Sequence, residues 1–358
     1  MSTPIYYNRL DALRCYAVIA VLFSHFFNPN ITQYLFIGNA GVNLFFVISG
    51  FLITEILFKY KDSGSKVGAR LKKFYIRRFL RIFPIYYMYL VIAALLYYSL
   101  VKDALPWAFL YGINFYEQNH TVPVFFSHLW SLSIEEQFYL IWPFIILTIP
   151  KKMLLKLIVA VILIALFSRL FISGINHKLL TTSCFDAFGL GALFAYLKLY
   201  HQQKLQQILK YNIFWITALL AYAAMIICSI YQIPILDEWF RFFISIISFY
   251  LIGVALYPTQ PTNKLTKILL ENKTVIYLGT ISYGIYIYHL LIGYILDPYI
   301  NQYLSNLFAS KTSALKYIYF NSYLIKLPLY TILTIAVAAF SFRFIEKPIS
   351  AFKNRLTV

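Results

Sequence analysis

Charge is what this sequence has least of. Only 12% of its 358 residues are Asp, Glu, Lys or Arg, about half the share of an ordinary soluble chain. That excludes a water-facing surface large enough to keep such a chain in solution. Cysteine is scarce as well. Cys15, Cys184 and Cys228 lie far apart in apolar stretches, without metal-ligand spacing or a disulfide framework, and read as small packing residues. The N-terminus lacks the basic region, unbroken apolar region and small-residue cleavage site of a secretory leader. Asp11 and Arg14 interrupt its first apolar run, which therefore reads as a retained helix. No soluble domain, low-complexity tract or clear internal repeat is visible. The expectation is one transmembrane domain over 1–358.

What is present is apolar and aromatic. Hydrophobic residues make up 61% of the chain and aromatics 20%, with 33 Phe and 32 Tyr. Tyrosine suits a membrane–water boundary, where one end is apolar and the other wet. A spanning helix needs about 20 mostly apolar residues. Ten stretches qualify: 10–28, 39–58, 79–100, 129–149, 153–173, 183–200, 212–231, 239–257, 275–296 and 325–346. The expected fold is all-α and polytopic, with about ten transmembrane helices. Segment 104–116 is too short and is placed at the interface. The polar, aromatic stretch 297–324 reads as an external loop that has room for a short helix.

The net charge of +18 does not point to nucleic acid, because the basic residues fall in short segments between long apolar ones. With both termini cytoplasmic, the 59–81 connection holds nine Lys and Arg. The connections around Lys151, Lys198 and Lys264 hold three each, the C-terminal end four and the N-terminal end two. The opposite side holds Lys102, Lys178, Lys311, Lys316 and Lys326. This bias supports ten spans with both ends inside.

Ionisable groups inside spans are costly and tend to face a protein interior or cavity. Arg14 and His25 share one face of the first span, about 16 Å apart along the axis. Asp11, Val18 and Val21 complete the stripe. One reading is a snorkelling arginine plus a packed histidine. The other is a histidine lining a polar route, where an imidazole serves as general base. In the second span Gly41 and Gly50 permit close helix packing, while Asn43, Ser49 and Thr54 are polar. Arg77 and Arg81 lie on one helical face with Arg78 beside them. They anchor lipid head groups, or they hold the phosphates of a cofactor such as coenzyme A by forked hydrogen bonds. Glu135 and Glu136 stand inside the fourth apolar run, and Ser131, Glu135 and Tyr139 form a stripe. Their candidate partners are Arg169, Arg14 and His25. Arg169 and Asp186 are either a structural ion pair or part of a site. Ser282, Tyr286 and His289 share a face of the ninth span. Pro348 is expected to stop the last helix, with Glu346 near the basic face.

In order along the chain, Arg14 and His25 with ten residues between them, GVNLFFVISGFLIT, RRFLRIFP, WSLSIEEQFYLIWP, SYGIYIYH and FIEKP together resemble the acyltransferase-3 family. Each segment is weak alone, whereas the ordered set is specific and covers essentially the whole chain. The resemblance implies a ten-helix membrane O-acyltransferase of the inner (plasma) membrane, using cytoplasmic acyl-CoA, most often acetyl-CoA, and no metal. It implies hydroxyl acceptors on carbohydrates or glycolipids: O-antigen or other lipopolysaccharide, exopolysaccharide, peptidoglycan or exported compounds. It makes His25 the essential histidine, Arg14 its partner, Arg77, Arg78 and Arg81 the donor-side motif, and Glu135 and Glu136 the acidic pair. Some members carry an added SGNH hydrolase-like domain; with the last span ending shortly before Val358, none is expected here. On this reading a Glu135 or Glu136 carboxylate holds the His25 imidazole, which acts as base or as transient acyl carrier. The rival reading is a transporter or flippase of a glycolipid or polysaccharide precursor. Transporters often show inverted repeats and paired broken helices, and the sequence displays neither. A third reading is an inactive scaffold or sensor.

Overall fold

The computed structural model describes residues 6–64, 66–172, 179–233, 239–257, 264–308 and 322–356. Among them there is no strand. Lipid offers no partner for backbone N–H and C=O groups, so long apolar runs satisfy these internally as helices. Ten principal helices result: α1 (Asn8–Phe26), α2 (Ile37–Asp62), α3 (Val67–Val101), α4 (Leu129–Thr148), α5 (Leu154–Phe171), α6 (Phe185–Tyr200), α7 (Ile213–Ile230), α8 (Trp239–Leu256), α9 (Ser282–Phe308) and α10 (Tyr323–Ser341). By length and apolar composition six helices are able to cross a membrane, or seven if one bent pair is a single span. The ten expected spans exceed that number, and α1, α4 and α6 are among the difference. Alpha1 carries Asp11, Arg14 and His25, α4 carries Glu135 and Glu136, and α6 is 16 residues long with Asp186 in its first turn. The polar groups that lower their hydropathy are the ones that set up the interior. The chain is a multi-pass membrane protein.

Helix α2 is the central post. Of its apolar window 83% is buried, against 11% for α7, which faces the surroundings. Close packing makes this possible. A Cβ on Gly50 would stand 2.3 Å from the Phe188 carbonyl oxygen of α6, and one on Gly191 2.1 Å from the Val47 carbonyl oxygen of α2. Only glycine lets the two backbones meet there. Polar ties add to the packing. Trp142 donates to Thr54 (2.8 Å), and Asn43 donates to the Arg241 carbonyl (3.0 Å) and to Ser245 (2.7 Å). Thus α2 is pinned to α4 and α8.

Three boundaries differ from expectation. The ninth span is not one rod: Lys264–Thr280 meets Ser282–Asn306 at a 55° bend, a broken helix the sequence did not disclose. Residues 297–308 continue α9 and are not loop, with Pro298 lying inside the helix on its exposed side. Residues 309–321, with Lys311 and Lys316, lie outside the described residues, as does Lys178. Pro348 does not end the last helix. A π turn over Phe342–Glu346 precedes it, and helix resumes at Lys347–Leu356. The wider turn makes room for a ring that would otherwise press on the carbonyl four residues back. Segment 104–116 holds two short helices, Leu105–Phe109 and Ile113–Tyr116.

Candidate active site

Two cavities lie end to end inside the bundle. The inner one, nearer the basic end, is lined by Arg14, Arg78, Arg81, Glu135, Glu136, Ser131, Tyr139, Ser282 and Tyr283, with Val42, Phe45, Ile82, Leu132 and Tyr286 among its other walls. The outer one has a volume of about 440 Å³ and is lined by His25, Ser24, Thr32, Gln33, Asn39, Glu117, His128 and Trp130. Val42 and Tyr286 belong to both walls. Tyr286 is held in place: its hydroxyl shares a 2.6 Å hydrogen bond with Ser131 and donates to the His128 carbonyl at 3.3 Å.

The inner cavity is an arginine cluster with two carboxylates. Arg14 donates to Asp11 at 2.6 Å, and Asp11 is itself buried. Arg78 stacks its guanidinium over the Tyr139 ring, 4.3 Å from the centroid. The Tyr139 and Ser49 hydroxyls both donate to one oxygen of Glu135. Arg78, Tyr139, Glu135 and Ser49 thereby form one chain of contacts across α3, α4 and α2. Among the described residues neither Arg78 nor Arg81 is ion-paired to a carboxylate, and Arg81 is open to the cavity. Such a set suits a polyanion better than it suits a sealed core. Arg77 sits on the same helix without lining the cavity.

In the outer cavity His25 presents its ring to open space at the end of the α1 stripe. Asn28 helps to shape the wall behind it. Its side chain accepts from the Asn30 amide at 2.9 Å and, with Pro29 at the first position, starts the short helix Pro29–Leu35 that turns the chain back into α2. His289 lies beneath His25, ring centroids 5.1 Å apart, and His128 lies 5.1 Å beyond His289. Glu117, in the connection outside the spans, also faces this cavity, and burial pushes its carboxyl up to about 8. Among the described residues no group of His, Cys, Asp and Glu is arranged to hold a metal.

The sequence-derived candidates divide accordingly. Arg14, Arg78, Arg81, Glu135, Glu136 and Ser282 meet in the inner cavity, and His25 stands alone of them in the outer one. His289 is buried beneath it. Among the described residues no hydrogen bond joins Glu135 or Glu136 to His25. Glu135 is committed to Ser49 and Tyr139 on the other side of the Tyr286 wall. Arg169 and Asp186 do not reach either cavity. They bond each other at 2.5 Å, and Arg169 also donates to the Ser183 carbonyl at 2.6 and 3.0 Å. Sequence reasoning passed over His128, Glu117 and Trp130. His128 and Glu117 flank apolar runs and do not interrupt them, so no hydropathy cost marked them.

Residues 7–343 match the family described as an acyltransferase domain. The chain is 30% identical over 378 residues to the peptidoglycan O-acetyltransferase OatA of Listeria monocytogenes, covering 96% of this chain and 56% of that protein. It is 27% identical over 391 residues to the O-acetyltransferase OatA of Staphylococcus aureus, covering 98% of this chain and 58% of that protein. The chain thus spans little more than half the length of these relatives. No solved structure matches it. With the ordered motifs converging on two back-to-back cavities and the family match covering nearly every residue, the chain belongs to the acyltransferase-domain family.

Proposed function

We propose that this protein is an O-acetyltransferase of the plasma membrane, moving an acetyl group from cytoplasmic acetyl-CoA to a hydroxyl of a cell-surface or exported carbohydrate. The observation that carries the reading is the pair of cavities meeting at Val42 and Tyr286, arginines on one side and His25 on the other. The basic end is taken as cytoplasmic, in keeping with the excess of Lys and Arg there. The relatives named above are O-acetyltransferases, one of them of peptidoglycan, which favours a glycan acceptor.

Arg78 and Arg81, with Arg14 deeper in, hold the phosphates of the donor, and Glu135 fixes Arg78 through Tyr139. The pantetheine arm brings the thioester up to the Val42–Tyr286 wall. The acceptor enters the outer cavity, where Trp130 offers a face for a sugar ring. The acceptor oxygen attacks the thioester carbon; the new C–O bond forms as the C–S bond breaks. His25 takes the hydroxyl proton and returns it to the leaving thiolate, so no proton is left over. Orientation does much of the work: two reactants held within reach of one base turn a bimolecular step into a nearly unimolecular one.

The test is direct. Purified protein is incubated with radiolabelled acetyl-CoA and isolated cell-surface glycans. Label in the glycan is the expected result. Glycan or lipid movement across vesicles without label would instead identify a transporter.

A further inference from the structure

We infer that His289 is a positioning residue for His25, presenting a neutral ring nitrogen that takes the N–H of His25 and leaves its other nitrogen free as the base. The inference rests on the acyl-transfer reading above. It starts from three imidazoles in a row, His25 from α1, His289 from α9 and His128 from the start of α4, with ring centroids 5.1 Å apart at each step.

The tautomers of the inner two are fixed by backbone. His289 donates its Nδ1–H to the Tyr286 carbonyl at 2.5 Å, and His128 donates its Nε2–H to the Ile287 carbonyl at 3.1 Å. A carbonyl only accepts, so each ring carries its proton on that nitrogen. The remaining nitrogens, His289 Nε2 and His128 Nδ1, are therefore acceptors. Both are buried without a hydrogen-bond partner, and the rings they belong to are 0% and 3% exposed. A buried acceptor left unpaired is costly, and a phenyl ring would pack in the same space without that cost. Of the two imidazoles packed against His289, His128 has its N–H committed to the Ile287 carbonyl, which leaves His25 as the ring with an N–H to offer.

The chemistry explains why an imidazole is better here than a carboxylate. A neutral acceptor orients His25 and selects its tautomer. A carboxylate would also hold the imidazolium strongly. His25 must surrender its proton to the thiolate within the same turnover, so orientation without tight charge pairing is the useful combination. The acidic pair, Glu135 and Glu136, is kept on the other side of the wall. In a resting structure such a hydrogen bond is often long and closes only with substrate bound.

The experiment compares His289→Phe, His289→Gln, His25→Ala and the His25→Ala/His289→Phe double variant in the acetyl-transfer assay, with thermal unfolding in detergent as the fold control. His289→Phe is expected to lower kcat by about 100-fold, with KM for acetyl-CoA unchanged within about twofold. His289→Gln, whose amide oxygen accepts in the same place, is expected to recover at least tenfold of that loss. The double variant is expected to be no worse than His25→Ala. Independently of any variant, nitrogen chemical shifts of the His25 ring in the unmodified protein should report a single tautomer. A His289→Phe enzyme with kcat within threefold of the parent, a Gln variant no better than Phe, or an equal mixture of His25 tautomers would each overturn the assignment. If His25→Ala itself keeps full activity, the acyl-transfer role of His25 falls first. If only the His289 variants are silent, the inference falls alone.

Discussion

At the scale of single residues, position inside an apolar helix was the readable signal. A charge or imidazole surrounded by Leu, Val and Phe carries a desolvation cost that the fold must offset. That cost marked Arg14, His25, Glu135 and Glu136 in the sequence, and all four line a cavity. Replacing His25 by Ala should lower acetyl transfer at least 100-fold while membrane insertion and the thermal transition stay as in the parent. Product formation at the parental rate would remove His25 from the chemistry. Arg81→Ala should raise KM for acetyl-CoA about tenfold, the size of one lost charge-assisted hydrogen bond, and leave KM for the glycan nearly unchanged. Equal losses in both would make Arg81 a structural residue. His128 and Glu117 carried no such mark, because a polar residue beside a span is ordinary. Only the packing of α9 against the start of α4 brings His128 behind His289.

At the scale of elements, apolar runs located the helices well, and glycines showed where helices touch. The Gly50–Gly191 contact leaves no space for a side chain on either backbone. Gly50→Leu should cost at least about 1–3 kcal/mol by overpacking, read as a lower unfolding temperature in detergent and poor recovery from the membrane. The Arg169–Asp186 pair links α5 to α6 away from both cavities. Asp186→Ala strands a buried guanidinium and should destabilise by about 3–5 kcal/mol. Replacing both residues with Met and Leu should restore most of that stability and keep acetyl transfer. A double variant that is stable but inactive would return the pair to the site. The sequence misjudged two helix ends: Pro348 was read as a stop, and the polar, aromatic stretch from 297 as a loop. Pro298 and Pro348 both lie within continuing helix on exposed positions, Pro348 just after the π turn at 342–346. The bend between Thr280 and Ser282 was hidden for a different reason. It depends on α1 lying against it: a Cβ on Gly279 would be 1.7 Å from the Asp11 carbonyl oxygen, and no local pattern of residues encodes a contact 268 positions away.

At the scale of the whole molecule, the informative object is the relation between the cavities, which no stretch of sequence displays. Arg14 and His25 shared one stripe in the sequence, suggesting a single polar path. In the folded chain they open into different spaces, which have Val42 and Tyr286 as shared lining. On the proposed function, the acyl group would lie against Val42, Phe45 and Leu132, which line the inner cavity. Val42→Ala should therefore raise turnover of propionyl- and butyryl-CoA relative to acetyl-CoA, measured as a ratio of kcat/KM. An unchanged ratio would place the limit on acyl length elsewhere.

The same wall has an electrical consequence. A membrane that carries a voltage stores energy, worth about 2.3 kcal/mol per elementary charge at 100 mV. A continuous water-filled passage past Arg14 and His25 would short-circuit that store. On the proposed function, with Val42 and the anchored Tyr286 where the chambers meet, what passes outward is a neutral acetyl group, and no ion needs to follow it.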